Sequence, residues 1–526
     1  MRFFPSSAGP PDSLQKGSAR GIPGEFKPAS LGLARGGVDS RRLPPAAPPP
    51  QKNPAEQKSA SNPSKASAPA DAEQVRKLLT TGVAAHAPPS RGASDATKRE
   101  GEDWGEFLGP RGDGTSAETG LLPKWPAKGP PIVWQKTIGT GYGAPSIIGN
   151  RLVVHHRKGD DEIVECFAAD TGVPEWQHKY PSNFRDPYGY NNGPRCSPVL
   201  VGDRCFTFGA EGRLLCLNLT TGKPIWEVDT AAQWKIPDAF FGVGTTPVLR
   251  GQVLFVMVGG EPNAGVVAFN AQTGDVLWHN VTKKTWKAPD ETYDIDDKLA
   301  SYATMTLAKI HDRDHLLAFM RDGVVSLDPE TGRENFHYFF RSKSFESVNA
   351  ARPLVIDDKV LLTAAYRTGQ TLLKVKPDGK DFSVLWSNRN LECHWSTPIV
   401  LDGFAYGFSG RHENEALLRC IDLKNGRVRW ETDGAPKGAD AASLSASQFY
   451  GRGSAILAEG KMIVLGERGV LALLKFSPEG HEEISRVKYP ALKYPSWAAP
   501  ILSRRRLYLR SEEALMCLDL QAEKPK

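Results

Sequence analysis

The sequence predicts an all-β fold, an eight-bladed β-propeller with four antiparallel strands in each blade, behind a disordered N-terminal tail. Three observations support this prediction. A hairpin-turn motif with an aromatic residue behind it recurs along the chain. Eight short segments of similar composition mark units that start roughly 45–60 residues apart, a period typical of propeller blades. A strand that resembles the end of a unit stands alone before the first unit.

The clearest part of the repeat is a Thr-Gly or Asn-Gly turn between two strands. The glycine supplies the positive φ of a tight hairpin turn. An aromatic residue follows four positions later, and we expect it to fill the gap between one sheet and the next. The five pairs are Gly172 with Trp176, Gly222 with Trp226, Gly274 with Trp278, Gly332 with Phe336, and Gly426 with Trp430.

A small residue stands six positions before each of these glycines, which indicates a tight packing site between sheets. In three copies it is a cysteine, and Cys517 has the same place in the last unit. We therefore interpret Cys166, Cys216, Cys420 and Cys517 as buried small residues and not as ligands or disulfide partners. A disulfide between Cys196 and Cys205 stays open as an alternative.

The unit starts combine small residues with Pro or Thr. They are Gly143-Ala144-Pro145, Cys196-Ser197-Pro198, Thr245-Thr246-Pro247, Tyr302-Ala303-Thr304, Ala351-Arg352-Pro353, Ser396-Thr397-Pro398, Gly453-Ser454-Ala455 and Ala498-Ala499-Pro500. Copies five and seven are degenerate, because Trp386 follows Gly379 only after seven residues and no Trp follows Gly480. Seven blades are the alternative count.

The two ends of the repeat region fit ring closure. The last unit stops near Leu520 without a tryptophan strand, whereas Ile132–Gln135, which contains Trp134, precedes the first unit. We expect this strand to form the outer edge of the last blade. Closure of this kind removes sheet edges that would otherwise pair with other chains.

Composition divides the chain into three parts. Residues 1–100 hold 15 of the 41 prolines and no Trp or Tyr, so we predict a disordered basic tail with a short helix near 71–81. Residues 101–130 are predicted to be a loop on the propeller, and 131–526 the propeller itself. The tail carries a net charge of +7 and the whole chain +6, so the folded part has no basic excess for nucleic acid.

The turn and its aromatic resemble the pyrroloquinoline-quinone-like (PQQ-like) propeller repeat family, in the apolar-x-Asp-x-x-Thr-Gly-x-x-x-Trp pattern at Trp176, Trp226, Trp278 and Trp430. The resemblance covers about residues 130–520. A stretch from Trp104 to Gly114 is similar to an N-terminal segment of exported bacterial members. Family members include quinoprotein alcohol dehydrogenases and an outer-membrane assembly lipoprotein. WD40 propellers fit less well, because no repeat tryptophan here precedes aspartate.

The resemblance implies a periplasmic or extracellular location, although the N-terminus lacks the apolar core of a signal peptide. No apolar run reaches the length of a membrane span. His155-His156 and the turn from His311 to His315 are weak metal candidates, since strand neighbours face opposite ways. A quinone held by calcium needs carboxylate ligands for the metal and a catalytic base. The residues that supply them in the dehydrogenases of this family do not map onto any position of this sequence.

The segments that join one blade to the next contain aromatic and arginine residues, which are typical interface anchors. Within them we predict Arg195, Trp395, Arg452 and Trp497 as ligand- or partner-binding residues on one propeller face. The leading hypothesis is a monomeric, non-catalytic scaffold that binds a protein or peptide and needs no cofactor. A quinone- and calcium-dependent alcohol dehydrogenase is the alternative, and a carbohydrate- or polymer-binding propeller is the weaker one.

Overall fold

The computed structural model describes residues 70–82, 99–236, 241–260, 264–280, 300–344, 347–440 and 443–522. They belong to one compact unit, Ser64–Lys526. The predicted disorder of residues 1–69 and 83–98 lies outside the described residues. The regular secondary structure of the described chain is almost entirely β-strand, with two helices, α1 (Ala72–Thr80) and α2 (Thr230–Gln233), and two 3₁₀ turns, Glu413–Glu415 and Ala446–Gln448.

The strands form eight four-stranded antiparallel blades, as predicted. Blades one to four contain, from inner to outer strand, β3 (Ser146–Ile148), β4 (Arg151–Lys158), β5 (Asp161–Ala168) and β6 (Pro174–Pro181); β7 (Val199–Val201), β8 (Arg204–Phe208), β9 (Arg213–Asn218) and β10 (Pro224–Asp229); β11 (Val248–Arg250), β12 (Val253–Gly260), β13 (Ala264–Asn270) and β14 (Val276–Asn280); and β15 (Thr306–Ile310), β16 (Arg313–Met320), β17 (Gly323–Leu327) and β18 (Glu334–Phe339).

The second half of the ring repeats the same order. Blades five to eight contain β19 (Leu354–Ile356), β20 (Lys359–Ala364), β21 (Gly369–Val375) and β22 (Phe382–Asn388); β23 (Ile399–Leu401), β24 (Phe404–Ser409), β25 (Leu417–Asp422) and β26 (Arg427–Thr432); β27 (Ser454–Ala458), β28 (Lys461–Leu465), β29 (Val470–Ser477) and β30 (Gly480–Lys488); and β31 (Ile501–Ser503), β32 (Arg506–Arg510), β33 (Ala514–Asp519) and β2 (Ile132–Thr137). A short strand β1 (Thr115–Ser116) pairs in parallel with β27.

The ring of blades closes through strand β2. Strand β2 is antiparallel to β33, and Trp134 lies opposite Cys517 in the register. The chain therefore completes its last blade with a strand that precedes the first one. This arrangement joins the two ends of the propeller through a ladder of backbone hydrogen bonds.

Each repeat tryptophan reaches across to the following blade. Its indole Nε1 donates a hydrogen bond of 2.8–3.1 Å to a backbone carbonyl near the turn of that blade. The pairs are Trp134 with Ala169, Trp176 with Leu219, Trp226 with Ala271, Trp278 with Pro329, Trp386 with Leu423, and Trp430 with Ser477. The predicted inter-sheet position of the tryptophans is thus confirmed, and the polar edge of each ring is satisfied as its apolar body is buried.

The turn glycine is needed for two reasons at once. Gly222 has φ +68°, and a Cβ there would lie 2.4 Å from the Trp176 ring of the preceding blade. The same ring-over-glycine contact recurs at Gly172 with Trp134, Gly274 with Trp226, Gly332 with Trp278, and Gly426 with Trp386. The glycine therefore makes the turn and leaves room for the neighbouring indole.

The two degenerate copies are complete blades, which corrects the alternative count of seven. Trp386 lies opposite Leu372 beside a β-bulge and contacts the next turn like the other repeat tryptophans. In blade seven Ser485 has the tryptophan position in the register. Trp125, from the segment before the propeller, is buried in the core that blade seven shares with blade eight, and its backbone N–H donates to Ser485 Oγ.

All seven cysteines are buried thiols. Cys166, Cys216, Cys420 and Cys517 each lie opposite a repeat tryptophan, as the packing interpretation predicts. The alternative of a disulfide between Cys196 and Cys205 is wrong. Burial raises the pKa of the Cys216 thiol to about 11, so this group stays protonated at neutral pH.

Two N-terminal segments lie on the propeller. The predicted helix is present as α1, capped by Asp71, and it buries Val75 and Leu79 against blade three. The segment after residue 100 contacts the propeller, since Trp104 is buried and pairs with Ile147 of the first blade's inner strand. Neither helix within the described ranges is long and apolar enough to cross a bilayer.

Candidate functional site

A central cavity of about 400 Å³ opens on the face formed by the blade-to-blade connections. The four predicted site residues Arg195, Trp395, Arg452 and Trp497 all line it. These side chains come from connections after blades one, five, six and seven, so they are distant in sequence and meet only because the ring closes. Small residues of the unit starts, among them Thr246 and Ser454, form the lower wall.

The segment before the propeller lines the cavity from the opposite side. This segment contacts the turns between the first and second strands of the blades. The Asp103 carboxylate accepts a hydrogen bond from the Gly149 N–H, and the Gly120 N–H donates to the Glu459 carboxylate. Those turns lie at the other end of the inner strands from the blade-to-blade connections. Phe107 and Leu108 of the same segment line the cavity. The segment therefore closes the lower end of the central channel with two apolar side chains.

A buried carboxylate holds one wall of the cavity in place. Glu467 is fully buried and accepts hydrogen bonds from the Arg452 guanidinium through both of its oxygens, at 2.8–3.2 Å. The same carboxylate accepts from Trp497 Nε1 at 3.1 Å. Glu467 itself does not line the cavity. It acts from behind the wall, fixing the guanidinium and the indole that face the opening.

The two cavity tryptophans lie against each other. The ring centroids of Trp395 and Trp497 are 4.8 Å apart, and the Arg452 guanidinium is 4.6 Å from the Trp395 ring centre and 5.4 Å from that of Trp497. Tyr142 adds a third ring 4.7 Å from Trp497. The result is an aromatic surface with a cation across its faces, in which the rings and the guanidinium attract each other.

Arg195 is also held by a buried carboxylate. It forms a 2.7 Å ion pair with Asp186, whose side chain is almost fully buried. The guanidinium lies 5.4–5.8 Å from the ring centres of Tyr142, Phe184 and Phe241. Sequence reasoning placed Arg195 at this face but gave no indication of its partner, because Asp186 lies in a loop outside the repeat pattern.

Two residues of the site were missed from the sequence. Arg411 lies on the cavity wall with its guanidinium 4.3 Å from the centre of the Tyr366 ring. His394 lies beside it and shares a 3.0 Å hydrogen bond with the Tyr366 hydroxyl. Burial and the neighbouring Arg452 and Arg411 lower the pKa of His394 to about 3. Arg411 follows the end of a strand in a segment without aromatics, so no sequence signal distinguished it.

The rim of the cavity carries exposed aromatic rings. Tyr188, Tyr190 and Tyr494 are 45%, 53% and 43% exposed, and Tyr190 contacts Trp497 with ring centroids 5.8 Å apart. Large exposed rings next to a cavity extend the aromatic surface onto the propeller face. Such clusters mark binding sites more often than structural packing.

The cavity wall does not fit a calcium-held quinone. In the part of the chain that the structure describes, its lining includes three arginines and two histidines, but no aspartate or glutamate. Calcium takes oxygen ligands, above all carboxylates. Two carboxylates behind the wall, Glu467 and Asp186, are already paired with Arg452 and Arg195, and Glu415 accepts from the backbone N–H groups of Arg411 and His412. The donor set therefore offers neither the calcium ligands nor the base that such an enzyme needs.

The histidine candidates lie elsewhere and have separate partners. His155 contacts Glu162 at 3.2 Å, whereas His156 contacts Glu165 at 3.0 Å, so the adjacent pair faces opposite ways as expected. His311 contacts the Val375 carbonyl, and His315 the Ser326 hydroxyl. Within the described ranges, no group of three or more potential ligands is placed to hold a metal ion.

The eight blades and their Trp–Gly contacts define the chain as a propeller of PQQ-like repeats. Residues 160–432 match the model of a family described as outer membrane protein assembly factor BamB, and the chain belongs to this family. A curated relative, outer membrane protein assembly factor BamB of Burkholderia pseudomallei, is 28% identical over 173 residues. That match spans 30% of this chain and 40% of the relative, so less than half of the relative's length is covered.

Solved structures share the fold at low sequence identity. BamB from Moraxella catarrhalis is 14% identical with a TM-score of 0.50, covering 75% of this chain and 99% of that one. The quinohemoprotein alcohol dehydrogenase of Comamonas testosteroni is 11% identical with a TM-score of 0.57, covering 86% of this chain and 85% of that one. At these identities the likeness shows the fold and not the activity.

Proposed function

We propose that this chain is a non-catalytic scaffold of the bacterial cell envelope, which binds another protein through the propeller face around the central cavity. The observation that carries the proposal is the aromatic surface formed by Tyr190, Trp395 and Trp497, which continues from the cavity wall onto the exposed rim. Aromatic side chains next to arginines dominate the binding energy of protein interfaces.

Family membership supports the type of partner. The family and the Burkholderia relative are described as outer membrane protein assembly factors. We therefore propose that the partner is a protein engaged in outer membrane protein assembly and that the chain acts on the periplasmic side of that membrane. The arrangement needs no cofactor, because the partner would be held by side-chain contacts alone.

The quinoprotein alternative has less support. It relies on fold likeness, whereas the cavity wall offers no carboxylate for calcium. Incubating the full chain with pyrroloquinoline quinone, calcium, an alcohol and an electron-accepting dye tests it directly. We expect no dye reduction. Calcium-dependent reduction would overturn the non-catalytic part of the proposal.

Site-specific photo-crosslinking tests the binding face. A photoreactive residue replaces Tyr190 on the cavity rim in the native host. A second chain carries it instead at Val173, which is 57% exposed in the turn after β5 and serves as the matched control. We expect one defined cross-linked protein of the outer membrane assembly process at position 190 and none at position 173. Equal cross-linking at both positions, or none at 190, would contradict the proposal.

A further inference from the structure

One positive charge in the cavity has no ion-pair partner among the described residues. Of its three arginines, Arg195 and Arg452 are each paired with a buried carboxylate. Arg411 has no carboxylate within ion-pair distance among the described residues, and its guanidinium lies against the Tyr366 ring. The Glu415 carboxylate accepts a 3.0 Å hydrogen bond from the Arg411 backbone N–H and does not pair with the guanidinium. One guanidinium on the wall therefore has no ion-pair partner among the described residues, and the described lining of the cavity holds no carboxylate.

The surroundings of Arg411 strengthen the attraction between its charge and an anion. Arg452, the second guanidinium of this wall, donates a 3.0 Å hydrogen bond to the backbone carbonyl of Arg411, which places the two residues side by side. His394 next to them keeps its ring neutral because burial and the two arginines oppose a further charge. Electrostatic attraction is stronger in such a recess than on an open surface, because less water screens it.

The shape of the site indicates what kind of molecule brings the anion. The volume of about 400 Å³ holds two or three amino-acid side chains. The aromatic surface does not end in the cavity, since Tyr188, Tyr190 and Tyr494 continue it onto the outer rim. An occupant that fills the cavity and also covers these rings must extend outward, as a peptide segment does and a free small acid does not.

We propose that the central cavity receives an acidic side chain of a peptide segment of the partner protein, with the carboxylate at Arg411 and flanking aromatic or aliphatic side chains on Trp395 and Trp497. This inference rests on the proposed function and names the chemistry of the partner. The carboxylate supplies the missing counter-charge, and a guanidinium fork binds it with directed hydrogen bonds. The cavity tryptophans supply apolar area for the neighbouring side chains.

Calorimetric titration of the full chain with two peptides tests the charge. The probes are the acetylated, amidated hexapeptide Gly-Phe-Glu-Glu-Phe-Gly and its counterpart with two Gln in place of Glu. We expect the glutamate peptide to bind at least about tenfold more tightly, a difference typical of one charge-assisted hydrogen bond. Equal affinities, or no binding of either peptide, would overturn the proposal.

The matched variants are Arg411→Gln and Arg427→Gln. Both arginines belong to blade six and its connections, and Arg427 is exposed on the outer strand β26. Arg411→Gln breaks no ion pair within the described part of the chain, so we expect normal folding and an affinity for the glutamate peptide reduced about tenfold. Arg427→Gln is expected to leave it unchanged. An unchanged affinity in Arg411→Gln would overturn the assignment.

A competition experiment distinguishes a peptide from a free acid. If 2-naphthoate binds with Arg411-dependent affinity and the glutamate peptide does not displace it, the site takes small carboxylates and the peptide assignment fails. The proposed function fails separately, when cross-linking at position 190 is absent. If an Arg411→Gln variant still cross-links at position 190, the proposed binding face is retained and only the proposed carboxylate contact is overturned.

Discussion

The tryptophans between the blades and the tryptophans in the cavity differ in what surrounds their indole rings. Five of the six inter-blade rings cover a glycine, and all six donate to a backbone carbonyl of the next blade, as Trp278 does to Pro329. The cavity rings instead contact each other and a guanidinium, and Trp497 donates to the buried carboxylate of Glu467. The first set holds the ring of blades together, and the second forms an aromatic surface at the cavity, which we propose that a partner protein covers.

The largest expected effect is the loss of an inter-blade ring. Trp278 is 5% exposed. Trp278→Ala should lower the free energy of unfolding by about 3–5 kcal/mol, because it opens a cavity and leaves a carbonyl without its donor. Trp395→Ala should cost less than about 2 kcal/mol, since this ring lines an existing cavity. Denaturant unfolding of both variants measures the difference, and equal losses would contradict the distinction.

This comparison also explains what the sequence could predict. The inter-blade set follows a fixed spacing after glycine, because every blade makes the same turn and meets the same neighbour. Trp386 breaks that spacing but keeps its place, because the paired part of its hairpin is longer on both strands and runs as far as Val375 and Phe382 before the turn at Gly379. Spacing alone does not reveal such compensation, so copy five was interpreted as degenerate.

The cavity was predictable only in part. Arg195, Trp395, Arg452 and Trp497 were found because aromatic and arginine residues stand out in connections that all lie on one face. Their counter-charges, Asp186 and Glu467, could not be assigned, because each pairing depends on loop conformation rather than on a periodic pattern. Arg411 was missed for the same reason. That it differs from the other two arginines is visible only once the carboxylates paired with Arg195 and Arg452 are known.

Two turn glycines, one under an inter-blade ring and one in open space, allow the packing of that ring to be tested by adding a single methyl group. Gly222 and Gly202 both have positive φ, but a Cβ at Gly222 would collide with the Trp176 ring, whereas nothing lies within 4 Å at Gly202. Gly202→Ala should therefore cost about 1 kcal/mol for the backbone conformation alone. Gly222→Ala should cost about 2–3 kcal/mol, because the indole must also shift. Chemical denaturation checks this, and similar losses would show that the ring adjusts freely.

The carboxylate behind the cavity wall provides a test on the functional side. Glu467→Gln keeps the shape but removes the charge opposite Arg452, and we expect a loss of about 1–3 kcal/mol. Glu431→Gln is the matched control, because Glu431 pairs with Arg419 on the surface and is 48% exposed. That variant should change stability by less than about 1 kcal/mol. If Glu467→Gln were equally mild, the carboxylate would not be what fixes Arg452 and Trp497.

The smallest expected effect is on the pH dependence of stability, which involves one histidine in the cavity and one inside a blade. Burial lowers the pKa of His394 in the cavity to about 3 and that of His315 inside blade four to about 4. The unfolded chain protonates both rings near pH 6.5. Below that pH the unfolded state binds more protons, so stability falls as the pH falls, by at most about 1.4 kcal/mol per pH unit for each histidine.

His394→Gln should therefore reduce the slope of unfolding free energy between pH 6.5 and 4.5, and so should His315→Gln. The two variants differ in the presence of a ligand. An anion bound at Arg411 favours the charged form of the nearby His394 ring and raises its pKa, so the acidic peptide should flatten the slope of the wild type. The same peptide should flatten it in His315→Gln and not in His394→Gln. A peptide effect that persists without His394 would mean that the anion lies elsewhere on the propeller.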